Sequence, residues 1–138
     1  MFKKIIFGLS LWLFATTLSF GAKIDDGYSA YEKGDFKTAF MIFEDLALKG
    51  DTGAQFNLGD MYDNGEGVRQ DYKKAFEWYE KAATQGVVDA QYNLGLMYYN
   101  GQGVRQDYKK AKEWFGKACD GGYQKGCDTY KILNQQGY

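Results

Sequence analysis

The sequence predicts an all-α protein, an α/α solenoid of two full 36-residue helix-pair repeats, with a shorter helix-pair unit before them and a C-terminal capping helix after them. Three observations carry that prediction. Residues 51–86 and 87–122 align without a gap, and 23 of the 36 positions are identical. Within each copy the apolar positions recur at helical spacing: Ala54, Leu58, Met61 and Tyr62 on one face, then Tyr72, Ala75, Trp78, Tyr79, Ala82 and Ala83 on another. The chain has no proline and 18 glycines, so its breaks fall to Gly and Asn.

In chain order, residues 1–21 read as a signal peptide. Lys3 and Lys4 precede an uncharged run from Ile5 to Phe20, and Ser19 and Gly21 lie three and one positions before a cut at Ala22. The run contains Gly8, Ser10, Thr16, Thr17 and Ser19 and is shorter than the ~20 apolar residues of a membrane span, which makes an uncleaved anchor the weaker alternative. Cleavage leaves residues 22–138 with 15 basic and 18 acidic side chains, net −3. Such a chain is expected to be periplasmic or secreted, with no stable membrane insertion once the signal is removed.

Residues 22–50 form an N-terminal capping unit, with helices expected over 24–33 and 35–49 and a loop shorter than in the full units. The full unit 51–86 has helices expected over 52–64 and 71–85. Asn64-Gly65 ends the first, because both residues tolerate the left-handed conformation past a C-cap; Asp71 caps the second, and Gly86 closes it. The copy 87–122 repeats this as 88–100 and 107–120, and 123–138 supplies a capping helix over 123–134. Atypical end units are expected of a repeat array. Gly59 returns as Gly95 in mid-helix, where glycine costs about 1 kcal/mol against alanine, which points to close helix contact. Trp78, Trp114, Tyr62, Tyr98, Tyr79 and Phe115 are expected in the core, the tryptophans filling the space between layers.

The unit Ala54-x-x-x-Leu58-Gly59-x-x-Tyr62-x-x-Gly65-x-Gly67-Val68-x-x-Asp71-x-x-Lys74-Ala75-x-x-Trp78-Tyr79-x-Lys81-Ala82-Ala83-x-x-Gly86 resembles the Sel-one-like repeat, a relative of the tetratricopeptide repeat. The resemblance covers 51–122 closely and the flanks loosely; 24–50 is similar to an ordinary tetratricopeptide unit. It implies a concave face lined by the first helices, in arrays that bind peptides or proteins and assemble complexes. Cys119 and Cys127, eight apart across the turn between units, are similar to the cysteine pairs of a secreted branch of this family, some of whose members are described as penicillin-binding or slow β-lactamases. That branch carries a pair in every unit, whereas Ala83 and Gln91 stand at the earlier positions here. In an exported chain the pair is expected to form a structural disulfide.

Other chemistry is poorly supported. With no histidine there is no imidazole base, and two thiols alone make a poor zinc site, so neither a metal nor a cofactor is expected and no catalytic residue is assigned. The near-neutral charge gives no case for nucleic acid. Asn64-Gly65-Glu66-Gly67 and Asn100-Gly101-Gln102-Gly103 lack the Lys-Ser or Lys-Thr of a phosphate loop. Lys73-Lys74 and Lys109-Lys110 read as a solvated face rather than an anion site. Asp60, Asp63 and Glu66 offer carboxylates for acid–base work, but acidic residues are common on exposed helices. Residues 22–138 contain one serine, in Ser29-Ala30-Tyr31-Glu32, which is not the S-x-x-K nucleophile motif.

The candidate site is a groove. Phe56, Asp60, Asp63 and Asn64, with Tyr92, Leu96, Tyr99 and Asn100, match the groove-facing positions of a tetratricopeptide first helix, and three of the four pairs differ between otherwise similar units. A copied framework with a varied groove suits a binding surface. The expected function is an exported scaffold that holds a peptide or protein segment. The alternatives are a β-lactam-binding or slow β-lactamase-type enzyme and a stabilising subunit of an envelope assembly. On this reading Tyr92 and Tyr99 contribute to binding and not to stability, whereas Trp114 is a core residue.

Overall fold

A computed structural model describes residues 21–138; the expected signal segment, Gly21 apart, lies outside the described residues. Seven helices follow in order: α1 (Ile24–Glu32), α2 (Phe36–Leu48), α3 (Thr52–Asn64), α4 (Tyr72–Thr84), α5 (Val88–Asn100), α6 (Tyr108–Asp120) and α7 (Gln124–Gln135). There is no strand among the described residues, and each helix lies within one residue of its expected bounds. Every helix packs chiefly on its neighbours in sequence, which is the arrangement of a helix-pair solenoid.

Local chemistry sets the helix ends. Asp35, Asp51, Asp71 and Asp107 each accept a hydrogen bond from the backbone N–H three residues on, at 2.8–3.2 Å, satisfying donors that a helix start leaves open. Gly65 and Gly101 end α3 and α5 in the left-handed conformation, φ 70° and 67°. Gln70 then donates to the Asp63 carbonyl at 2.6 Å, and Gln106 to the Tyr99 carbonyl at 2.8 Å. The repeated run Arg-Gln-Asp-Tyr thus ties off one helix with its Gln and opens the next with its Asp.

The core is one continuous cluster. Ala54, Leu58, Met61, Ala75, Tyr79, Ala82 and Ala83 are buried in the first full unit, as are Ala90, Leu94, Met97, Ala111, Phe115 and Ala118 in the second. Gly59 faces the ring of Tyr79, and a Cβ there would lie 2.6 Å from it; at Gly95 a Cβ would lie 2.7 Å from Phe115. Gly27 stands the same way against Phe43, at 2.5 Å. Residues 22–50 therefore form a complete pair on the plan of the other two. Its glycine precedes Gly59 by 32 residues instead of 36, because the turn from α1 to α2 is four residues shorter.

The loops also join the units. A Cβ on Gly67, φ +69°, would lie 2.2 Å from the Phe36 carbonyl oxygen, and one on Gly103, φ +69°, 2.2 Å from that of Tyr72. Each full unit thus rests its loop on the start of the second helix of the unit before it. Only glycine supplies both the conformation and the close approach. At the other end Cys119 of α6 and Cys127 of α7 form a disulfide with Cα atoms 4.5 Å apart, leaving no free cysteine among the described residues.

One expectation needs correction. Trp78 and Trp114 are only half-buried: they pack on the edge of the core with Lys81 and Lys117 seated 4.0 Å above their rings. The residues between the layers are Phe43, Tyr79 and Phe115, each at most 1% exposed. The indole is the larger side chain, but its position lies at the lip of the interlayer space and the next residue points into it.

Candidate functional site

The first helices of successive units stand side by side. Asn57 of α3 donates to the Tyr28 hydroxyl of α1 at 2.9 Å, and Asn93 of α5, one period on, donates to Asp60 of α3 at 3.4 Å. These contacts define a row that starts at Tyr28 and continues through Asp60 and Leu96. A second row starts at Tyr31 and continues through Asp63 and Tyr99. One further period places Ile132 of α7, 53% exposed, after Leu96.

At the N-terminal end of these rows lies a pocket of about 150 Å³, lined by Tyr28, Tyr31, Phe43, Asn57, Asp60 and Met61. The Tyr28 ring stands edge-on to Phe43 with centroids 5.4 Å apart, and Tyr31 edge-on to Phe36 at 5.0 Å, so both rings are held from behind. The Tyr31 hydroxyl donates to Glu66 at 2.7 Å; that bond to an anion, first among its causes, raises the phenol to about 12. The Tyr79 hydroxyl, otherwise buried in the core, donates to Asp60 at 2.5 Å. Asp60 is itself pushed up to about 6, chiefly by burial, with the negative charges of Asp63, Glu66 and Asp89 adding to the effect and the Tyr79 bond opposing it. Burial raises Asp63 as well.

Of the eight groove residues expected from sequence, Asp60 lines this pocket, and Asp63 is near enough for its charge to act on Asp60. Leu96 and Tyr99 continue the two rows. Asn64 and Asn100 are exposed at the ends of α3 and α5. Phe56 and Tyr92 are turned towards the core. Phe56 packs on Tyr79 with centroids 6.0 Å apart, and Tyr92 lies between Phe115 at 5.3 Å and Tyr123 at 4.9 Å. Tyr92 therefore contributes to stability, contrary to the expectation that its removal leaves the fold untouched. Tyr99 is 38% exposed and stands edge-on to Tyr108 with centroids 5.2 Å apart, and Tyr108 packs at a tilt against Tyr138 at 4.6 Å. Sequence reasoning missed Tyr28 and Tyr31. Their register was hidden by the shorter first turn, although Gly27 and Phe43 carried the signal.

The paired lysines are all exposed, and one of each pair lies over a ring. Lys74 lies 5.4 Å from the Tyr62 ring centre and Lys110 5.5 Å from that of Tyr98. No group of three acidic or cysteine side chains is placed to hold a metal among the described residues, and none of their helices is long and apolar enough to cross a membrane.

The model of the Sel1 repeat matches residues 52–87 and 88–123. The chain belongs to the Sel1 repeat family. Sel1 repeats generally mediate protein–protein interaction, and most such scaffolds are not enzymes. Among solved structures, this Sel1 repeat protein is similar to a Sel1 repeat protein from Oxalobacter formigenes, with 34% identity and a TM-score of 0.77 over 83% of this chain and 47% of that one. It is also similar to a protective antigen present in uropathogenic Escherichia coli strains, with 33% identity and a TM-score of 0.76 over 83% of this chain and 26% of that one. A third is the Helicobacter pylori cysteine rich protein B, with 26% identity and a TM-score of 0.64 over 83% of this chain and 98% of that one. The chain thus spans about half the length of the first and a quarter of the second. No curated protein matches it.

Proposed function

We propose that this Sel1 repeat protein is a periplasmic or secreted scaffold that holds an extended segment of a partner protein along its concave face. The observation that carries the reading is the pair of rows across α1, α3 and α5. Tyr28, Tyr31, Asp60, Asp63, Leu96 and Tyr99 offer rigid aromatic area, carboxylates and apolar surface on side-by-side helices, and the core uses only part of them. Aromatic side chains give large contact area at low entropic cost, and they dominate binding hot spots. The disulfide and the likeness to a cysteine-rich protein support a location outside the reducing cytoplasm. A catalytic reading gains nothing from Ser29, which lies on α1 with neither a histidine in the chain nor a lysine at S-x-x-K spacing.

Capture from an envelope fraction tests the proposal. A partner retained by the parent protein should be lost by a protein carrying Tyr99→Ala and Asp63→Asn, and kept by one carrying Glu80→Gln on the second-helix face. Equal retention by all three sinks the concave-face reading. Turnover of a chromogenic cephalosporin that survives Ser29→Ala and copurifies with the protein would require an enzyme instead.

A further inference from the structure

We infer that the pocket between α1 and α3 is a subsite for one lysine or arginine side chain of the bound segment, with the Tyr28 and Tyr31 rings as its walls and the carboxylates of Asp60, Asp63 and Glu66 as its negative charge. The inference rests on the concave face being the binding surface, and it adds which residue that surface selects.

Charge complementarity is the first argument. Asp60, Asp63 and Glu66 are close enough to raise Asp60 by their mutual repulsion. Yet the single ion pair among the described residues joins Lys49 to Asp45 on α2, so none of the three has a basic partner within 4 Å there. Their hydrogen bonds come from neutral groups: Tyr79 and Asn93 to one oxygen of Asp60, and Tyr31 to one oxygen of Glu66. Each of these two carboxylates keeps a second oxygen for a donor from outside.

The aromatic walls are the second argument. Among the described residues a lysine lies over an aromatic ring four times: Lys74 on Tyr62, Lys81 on Trp78, Lys110 on Tyr98 and Lys117 on Trp114. Among the described residues no cation lies over Tyr28 or Tyr31, although these rings are exposed, with Asp60 in the same pocket and Glu66 bonded to the Tyr31 hydroxyl. A cation between a ring face and a carboxylate gains from both. Met61 and Phe43, both buried, also line the pocket and give it apolar surface that suits the methylene stem of a long basic side chain. Beyond it, Leu96, Tyr99 and Ile132 continue the surface without charge, so the residues next to the basic one are apolar.

The test is selection of a random heptapeptide display library on the purified protein, followed by titration of the enriched peptide. Enriched peptides should carry Lys or Arg at one fixed position with apolar neighbours. Exchange of that residue for uncharged norleucine should weaken binding about tenfold, as should Asp60→Asn in the protein, and the two changes together should cost no more than either alone. Asp60→Asn keeps the oxygen that accepts from Tyr79, and a melting temperature no lower than the parent's shows that the fold is intact; Glu66→Gln gives an independent second loss. If the norleucine peptide binds as well as the lysine peptide, or Asp60→Asn binds both alike and undiminished, the subsite is wrong. The groove itself then still stands provided Tyr99→Ala weakens the same peptide. If no peptide is enriched over the Tyr99→Ala protein, both readings fall.

Discussion

The hydroxyl of Tyr79 donates to the carboxylate of Asp60 at 2.5 Å, and one period later the same two positions hold Phe115 and Leu96. These two differences between the repeats belong together as one. Where the interlayer ring carries a hydroxyl, the first helix supplies an acceptor; where the ring is plain, the first helix supplies a methyl group. Variation at position 60 therefore belongs to the packing of the unit as well as to its surface.

Exchange of this pair should be strongly non-additive. Asp60→Leu alone leaves the buried Tyr79 hydroxyl without its acceptor and should cost about 1–3 kcal/mol, and Tyr79→Phe alone should cost about 1 kcal/mol. The double change copies the second repeat into the first and should be no less stable than the parent. Urea unfolding of the four proteins measures the coupling, and additive losses would contradict it.

The raised Asp60 has a consequence for pH. Its ordinary value is 3.8 and its folded value about 6, so the fold prefers the protonated form. Stability from this group is fully present below the unfolded value and is lost as pH rises through about 6. The protein should therefore gain stability relative to Asp60→Asn on acidification from pH 7.5 to pH 4.5, by about 1–2 kcal/mol after allowance for partial solvation. Asp63 acts in the same direction, whereas Asp35, lowered by its hydrogen bond to Thr38, acts in the opposite one. Asp35 cancels when the two proteins are compared, and Asp63 cancels except for its repulsion with Asp60, which belongs to the Asp60 effect. Parallel melting-temperature profiles would show that Asp60 is not the group responsible.

The mid-helix glycines should separate by what faces them. Gly59→Ala drives a Cβ into the Tyr79 ring and should cost about 1–3 kcal/mol in spite of alanine's better helix propensity. Gly116→Ala meets only the half-exposed Tyr130 ring at 3.3 Å, which has room to give, and should be neutral or stabilising by up to about 1 kcal/mol. Calorimetry of the two variants decides it.

Core truncations should follow burial and not ring size. Phe115→Ala should cost about 3–5 kcal/mol, and the half-buried Trp114→Ala distinctly less. Tyr92→Ala should also destabilise, by about 2 kcal/mol, because it leaves a gap between Phe115 and Tyr123. Tyr99→Ala should leave the melting temperature nearly unchanged. The reverse order for Trp114 and Phe115 would return the indole to the core.

Reduction should act at one end. The bridge closes a loop of eight residues, so its loss should cost about 2–3 kcal/mol on the chain-entropy estimate. Amide exchange should rise first in α7. Uniform loss of protection throughout the chain would show a single cooperative block.

The helices were legible because their signals are local. Asp71 and Asp107 cap, Gly65 and Gly101 stop, and the apolar spacing between them has one period. The site was legible only in part, for two physical reasons. A helical wheel does not tell the lip of an interlayer space from its centre, which is why Trp78 was expected in the space that Tyr79 fills. The pairing of Asp60 with Tyr79 was present in the two copies as a joint change at positions 60 and 79, but spacing alone does not join residues on different helices. Tyr28 and Tyr31 fell outside the 36-residue frame because the first turn is shorter.

The loops seated at Gly67 and Gly103 give unravelling a direction. Each rests on the helix pair before it, so departure of α1 and α2 removes the seat of the first loop and loosens α3 and α4 in turn. At the opposite end the bridge between α6 and α7 is a covalent stop that prevents their last helix from peeling away. Order should therefore be lost from the N-terminal pair inward, and a protease or a pulling force applied there should meet the units one after another, with the stapled end the last to yield.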